Sequence, residues 1–280
     1  STTREGMLLV SILLASSLPP LAYHWFGAEK QWLAVTLVLA WLGFFSQWIY
    51  HHTLKRTLLR TNQMHHFSFK SLLTVKHTTE KKLLLIYWIS ALASAIPGVL
   101  VLFYIRDQLN LYEYYGLFLS LYFLSGALSM PFWNKLSQKT NKVLAWQASM
   151  LLAIISFIGA SFLKEGDFLA YALICFSSGI AVGADLAMPP AILTDFLSKH
   201  QHISGGISLG RLSFCNKWAV TIASASSLPL LSVLGYVPQQ LQNTDAISAL
   251  AITYALVPCC IKACALFCLS CWKEKLILGE

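Results

Sequence analysis

The chain has 280 residues, of which 56% are hydrophobic and 11% charged, and its formal net charge is +8. A water-soluble domain of this length needs more charge to cover its surface, so the composition excludes an ordinary soluble globule and indicates a polytopic membrane protein. The positive charge does not indicate a nucleic-acid surface, because Lys and Arg fall between apolar segments rather than among exposed aromatic residues.

Eight apolar runs follow one another along the chain, and most have the ~20 residues that a membrane-spanning helix needs. They lie at residues 5–26, 31–50, 82–105, 114–134, 143–163, 168–195, 208–234 and 246–272. We therefore predict an all-α membrane protein with eight transmembrane helices. The polar, His-rich segment 51–81 separates the helices of residues 1–50 from the six in residues 82–280, and we interpret it as a basic loop.

The positive charges are concentrated in alternate gaps between the runs. Of the 20 Lys and Arg residues, fifteen fall in one set of gaps and three in the other, and Lys217 and Lys262 lie inside runs. Loops that carry such an excess of positive charge remain in the cytoplasm. The pattern predicts a multi-pass protein of the plasma (inner) membrane, with segment 51–81 and both chain ends on the cytoplasmic side.

Ionisable residues interrupt the sixth and seventh runs. Asp185 precedes the proline pair Pro189-Pro190 and lies ten residues before Asp195, which puts it ~15 Å deep if Asp195 marks the membrane edge. Lys217 lies six residues, or ~9 Å, beyond Arg211 by the same rise. Buried charges in a membrane usually face a partner or a wet cavity, so we expect Asp185 and Lys217 to meet and form half of a transport site.

Other polar residues of these runs have more than one interpretation. Ser213 shares a helical face with Lys217, whereas Asn216 is offset and is expected either to line the pathway or to bond between helices. Asp195 is expected to gate the inner mouth by bonding Arg211 or Lys199. Lys262 is interpreted chiefly as a packing residue, with Asp185, Tyr254 or a backbone carbonyl as its alternative partner.

Small residues and cysteines have simpler interpretations. Gly179 and Gly183 predict a close approach between the sixth run and a neighbouring helix. Five of the seven cysteines lie in the last run, where we interpret them as soft packing residues rather than a metal cluster or disulfides. No nucleophile–base pair, metal-ligand spacing or phosphate loop occurs in the runs, so we predict no enzyme, no bound metal and no resident cofactor.

Four segments carry a family resemblance. They are TTREG with its run to a proline pair (residues 2–20), LYFLSGALSMPFWNKLSQKTNK (121–142), GADLAMPPAILTD (183–195) and YALVPCCIK (254–262). In this order they resemble the melibiose-permease branch of the major facilitator superfamily, the glycoside–pentoside–hexuronide:cation symporters. The resemblance implies that the eight runs are helices five to twelve of a twelve-helix transporter, with segment 51–81 as its central loop and the first four helices lacking.

The resemblance also implies a function and a site. It implies symport of a sugar or related polar solute with Na⁺ or H⁺ by alternating access, in a monomer embedded in the bilayer. The main cation site of the family lies on helices that this chain lacks. The residues that match or adjoin the family's sugar contacts are Arg4, Asp185, Leu186, Ser213, Asn216 and Lys217. The alternative is a truncated, non-transporting remnant or a membrane scaffold.

Overall fold

The computed structural model of the protein describes residues 75, 77–200, 205–236 and 244–274, with side chains in the last range from Ile247 onward. Every regular element within these ranges is helical, which confirms the predicted all-α class. The first two apolar runs, Arg4 and nearly all of segment 51–81 lie outside the described residues.

Six long helices follow in chain order within the described ranges. They are α1 (Thr78–Phe103), α2 (Tyr115–Lys139), α3 (Lys142–Ala160), α4 (Phe168–Lys199), α5 (Gly205–Val233) and α6 (Thr244–Cys271). A π-helical turn, Tyr104–Gln108, extends α1, and a short 3₁₀ turn, Tyr112–Tyr114, precedes α2. We call the two ends of the bundle the Thr78 end and the Gln108 end, after the first residue of α1 and the last of its π-helical extension.

Five of these helices, α1, α2, α3, α4 and α6, are long and apolar enough to cross a membrane. They confirm five of the predicted spans. The remaining predicted span, 208–234, forms α5, whose 29 residues give a length of ~44 Å at ~1.5 Å per residue. α5 is not among the helices apolar enough to span a membrane, because it carries Arg211, Asn216, Lys217 and several serines.

The prolines of the described residues lie inside the helices rather than at their ends. α1, α2, α5 and α6 contain one each, and α4 contains the pair Pro189-Pro190. Because proline has no N–H, it removes the helical donor for the carbonyl four residues earlier. Pro189 therefore releases the carbonyl of Asp185, and Pro258 releases that of Tyr254. Inside a membrane such a carbonyl needs another partner or a wet cavity.

The helices form one bundle in which each packs mainly against one or two neighbours. The main contacts give the series α5, α1, α6, α3, α4, α2, so that α5 and α2 lie at its two ends. α2 and α4 approach each other closely at two glycines. A Cβ atom added at Gly179 would lie 2.0 Å from Ser125 Oγ, and one added at Gly183 would lie 2.1 Å from Ser129 Oγ. The predicted close approach at these glycines is confirmed.

The apolar interior is divided into two layers. At the Gln108 end, Tyr104 stacks on Tyr254 with ring centroids 4.1 Å apart, and Phe118 and Tyr171 pack beside them. The layer toward the Thr78 end is built around Trp146, with Met150 and Met188 among its fully buried members. The polar side chains described next lie where the two layers meet.

Candidate functional site

An ion pair between Asp185 of α4 and Lys262 of α6 lies inside the bundle. The Lys262 residue is 4% exposed. Its ammonium donates to Asp185 Oδ2, to Ser90 Oγ at 2.9 Å and to Ser94 Oγ at 3.0 Å. The two serines are four residues apart on α1, so both hydroxyls lie on one face of that helix. The three N–H bonds of the ammonium are thus matched by three side-chain oxygens.

The Asp185 carboxylate is held by further donors. Trp146 of α3 donates its Nε1–H to Oδ1 at 2.9 Å, and Ser94 donates to Oδ2 at 3.3 Å. Four helices, α1, α3, α4 and α6, therefore contribute to one buried polar cluster. Both carboxylate oxygens thus have hydrogen-bond donors within the bundle, as buried polar groups require.

The structure corrects the predicted partner of Asp185, which is Lys262 and not Lys217. The reason is the packing order of the helices. α6 packs against α1 and α3 and brings Lys262 into the bundle, whereas α5 packs mainly along α1. Lys217 is exposed on α5, and within the described ranges it has no ion-pair partner. Two of the alternatives for Lys262 are observed, the pairing with Asp185 and a longer bond to a backbone carbonyl, that of Ser90 at 3.5 Å.

Polar side chains form an exposed stripe along α5. Ser213 and Lys217 are exposed, Asn216 is half-buried beside them, and Thr221 and Ser224 are also exposed. Spacings of four, four and three residues from Ser213 place the exposed four along one side of the helix. Sequence reasoning found the first part of this stripe and missed Thr221 and Ser224, although the same spacing signal includes them. Leu186, the neighbour of Asp185, is half-buried on α4.

Two ion pairs lie at the Thr78 end of the bundle. Lys142 at the start of α3 donates to both carboxylate oxygens of Asp195, at 2.6 and 2.7 Å. Arg211 Nη1 of α5 donates to Glu80 Oε1 of α1 at 2.7 Å. The expected bond of Asp195 to Arg211 or Lys199 is therefore replaced by one to Lys142, because α3 packs closely on α4. Glu80 was missed, although it is the one acidic residue in the first turn of α1.

A third polar group closes the Gln108 end. Arg106 Nε and Nη2 donate to the carboxylate of Asp107 at 2.7 and 2.9 Å, and the Tyr236 hydroxyl donates to the same carboxylate. Burial, together with the bond to Asp107, raises the pKa of Tyr236, so its hydroxyl keeps the proton that it donates. This group ties the segment after α5 to the π-helical turn after α1.

A cavity of about 100 Å³ lies in the layer at the Gln108 end. Its walls are mostly apolar or aromatic and include Tyr122, Tyr171 and Tyr254. The cavity therefore offers mainly apolar contacts, whereas the exposed stripe of α5 offers hydrogen-bonding groups.

Comparison with known proteins places the chain in a family. No curated protein matches the chain significantly. A family model described as MFS/sugar transport protein matches residues 1–273, which is nearly the whole sequence. Its match agrees with a bundle of long apolar helices that contains buried ion pairs and a polar helix. The chain is thus a multi-pass membrane protein that belongs to the MFS/sugar transport protein family.

Proposed function

We propose that the chain is the carrier part of a cation-coupled symporter for a sugar or a related polar solute. The single observation that carries this proposal is the exposed polar stripe of α5, with the ammonium of Lys217 at its centre. Placing a charge and three hydroxyls against lipid, along one side of a helix long enough to cross a membrane, costs free energy. They are stable beside water or beside a polar solute that bonds to them.

The stripe provides the chemistry that sugar binding requires. Lys217 donates hydrogen bonds, and the hydroxyls of Ser213 and Ser224 can both donate and accept. The Thr221 hydroxyl donates to the Lys217 carbonyl at 2.9 Å and can accept from a solute. Bonds that involve a charged group are roughly twice as strong as neutral ones, so Lys217 is the expected anchor of the solute. Asn216 and Arg4 are proposed as further contacts on this pathway.

Asp185 and Leu186 have a different place in this proposal. The Asp185 side chain is 15% exposed and bonded to Lys262, so we propose that it shapes the pathway wall together with Leu186 rather than gripping the solute alone. The ion pairs Lys142–Asp195 and Glu80–Arg211 at the Thr78 end, and the Arg106–Asp107–Tyr236 group at the other end, are proposed as the ties that open and close in alternating access. Coupling to Na⁺ or H⁺, a monomeric state and an inner-membrane location with cytoplasmic chain ends belong to the same proposal.

Uptake measurements on Lys217 test the proposal directly. The full-length protein, reconstituted in liposomes, is assayed with a panel of labelled mono- and disaccharides under an imposed Na⁺ or H⁺ gradient. We expect gradient-driven accumulation of at least one sugar by the wild type. In Lys217→Ala we expect a loss of roughly tenfold or more, because a hydrogen bond to a charged group contributes about 1.5–3 kcal/mol.

The matched control is Lys135→Ala, which removes an exposed lysine from α2 without touching the stripe. It should transport like the wild type. Unchanged accumulation by Lys217→Ala would refute the assignment of α5, and an absence of uptake for every sugar and both gradients would favour a non-transporting scaffold.

A further inference from the structure

The ammonium of Lys262 is surrounded by oxygen atoms. Within hydrogen-bond distance it has Asp185 Oδ2, Ser90 Oγ at 2.9 Å, Ser94 Oγ at 3.0 Å and the Ser90 carbonyl oxygen at 3.5 Å. One carboxylate, two hydroxyls and one carbonyl form the kind of oxygen-only ligand set that hard metal cations select. Three side-chain oxygens match the three N–H donors of the ammonium, and the Ser90 carbonyl is a fourth oxygen within reach.

The orientation of the two serine hydroxyls agrees with a cation at the centre of this cage. Both hydroxyls lie within bonding distance of the Asp185 carboxylate, Ser94 at 3.3 Å and Ser90 at 3.5 Å, as donors. When their hydrogens point to the carboxylate, their lone pairs face the ammonium. The hydroxyls therefore act as ligands of a positive charge and at the same time fix the carboxylate.

The charge of the cage selects a monovalent ion. Among the described residues Asp185 is the one acidic group of the cage, and it balances one positive charge. A divalent ion would leave an uncompensated charge in a low-dielectric interior, which is strongly unfavourable. A second cavity of about 20 Å³, lined by Ala93, Ser94 and Lys262 among other residues, lies beside the cage. Most of its lining side chains are apolar, so the oxygen ligands of a bound ion come from the cage itself.

We infer that Ser90, Ser94 and Asp185 form a site for a monovalent alkali cation, and that the Lys262 ammonium occupies it as a tethered substitute. A tethered cation is always present, so this site is filled whatever the Na⁺ or K⁺ concentration. Truncation of Lys262 then opens a site that a free alkali cation fills. The inference does not depend on which solute the protein carries.

Thermal unfolding of the purified full-length protein in detergent tests this inference. Wild type, Lys262→Ala and the double variant Asp185→Asn/Lys262→Ala are titrated separately with LiCl, NaCl and KCl, with choline chloride keeping the ionic strength constant. We expect Lys262→Ala to unfold at a lower temperature in choline and to regain most of the loss, saturably, with at least one alkali cation. The three salts identify the ion that fits the cage.

The double variant separates this site from any other cation site of the protein. It lacks the carboxylate, so its response to alkali cations should be no larger than that of the wild type. Ser94→Ala in the Lys262→Ala background should shift the titration to a higher cation concentration, because one ligand is removed.

Two outcomes would overturn the inference. One is a Lys262→Ala protein whose response to all three alkali cations equals that of the wild type. The other is a Lys262→Ala protein that does not accumulate in cells grown in Na⁺ and K⁺ while the double variant accumulates normally. In that case the Asp185 carboxylate would stay unpaired although Na⁺ and K⁺ are both present. The cage would therefore not bind either ion.

Discussion

Arg211 Nη1 donates to Glu80 Oε1 at 2.7 Å and joins α5 to α1 at the Thr78 end. Glu80 is 1% exposed and Arg211 is 9% exposed, so the pair is screened from solvent. Removing one partner leaves the other charge buried without compensation, which costs about 3–5 kcal/mol. We expect Arg211→Ala to lower the unfolding free energy by that amount, as measured by denaturant titration in detergent.

The Lys142–Asp195 pair gives the matched control, since its side chains are 34% and 59% exposed. Exposed ion pairs contribute about 0–1 kcal/mol, so Lys142→Ala should cost far less than Arg211→Ala. The double variant Glu80→Leu/Arg211→Leu, which removes both charges, should recover most of the loss. Equal losses in Arg211→Ala and Lys142→Ala would contradict the burial argument.

The contact between α2 and α4 makes a second prediction. Gly183→Ala places a Cβ atom 2.1 Å from Ser129 Oγ and 2.6 Å from the Gly126 carbonyl oxygen. Because the carbonyl belongs to the backbone of α2, the helices must move apart, and overpacking of this kind costs about 1–3 kcal/mol. The unfolding temperature of Gly183→Ala should fall accordingly.

Gly98→Ala is the control for this substitution. An added Cβ at Gly98 meets no atom within 4 Å, and alanine favours a helix over glycine by roughly 1 kcal/mol. The stability of Gly98→Ala should therefore equal or exceed that of the wild type. A similar loss in both variants would show that helix distortion, rather than the α2–α4 contact, determines the result.

The helices were predictable from the sequence, and their partners were not. The apolar runs predicted the first and last residues of the described helices to within several residues, because the length of a spanning helix follows from the thickness of the bilayer. The two glycines four residues apart predicted that α4 packs closely against a neighbouring helix. The partner of Asp185 depends on which helices are neighbours in space, and that order is set by packing over the whole bundle rather than by local spacing.

Glu80 and Lys262 illustrate the same difference in the site. Each is a single charged residue in or beside an apolar run, and the sequence marks it as costly to bury. It does not give the partner, because Arg211 lies 131 residues from Glu80 and Asp185 lies 77 residues from Lys262. The stripe on α5 was partly predictable because its members lie on one helix.

Two buried tryptophans give a third prediction. Trp146 Nε1 donates to the carboxylate of Asp185 at 2.9 Å, and Trp133 Nε1 donates to the neutral carbonyl of Ile180 at 2.7 Å. A hydrogen bond to a charged group contributes about 1.5–3 kcal/mol, and one to a neutral group about 0.5–1.5 kcal/mol. Trp146→Phe should therefore destabilise the protein more than Trp133→Phe in parallel denaturant titrations.

The expected difference in stability between Trp146→Phe and Trp133→Phe has a second cause. The Ile180 carbonyl also accepts from Ser129 Oγ at 3.1 Å, so it retains a donor in Trp133→Phe. A larger loss in Trp133→Phe than in Trp146→Phe would show that ring packing outweighs the hydrogen bonds.

Cysteine labelling tests the predicted orientation. Cys271, at the end of α6, is exposed, and the charge pattern predicts that this end faces the cytoplasm. A variant that keeps only Cys271 should react with a membrane-impermeant maleimide in inverted vesicles and not in intact cells. Lys164→Cys in a cysteine-free background, at an exposed position between α3 and α4, should show the opposite pattern. Reversed patterns would contradict the orientation.

The glycine contact of α2 and α4 also limits how the protein can change shape. Two helices that touch backbone to backbone cannot slide past each other without carbonyl and hydroxyl oxygens colliding. We therefore expect α2 and α4 to move together as one rigid body, and Asp185 to move with them. Helices are expected to move relative to one another at interfaces that are filled by longer side chains. The interface between α5 and α1, where Arg211 contacts Glu80, is one of these.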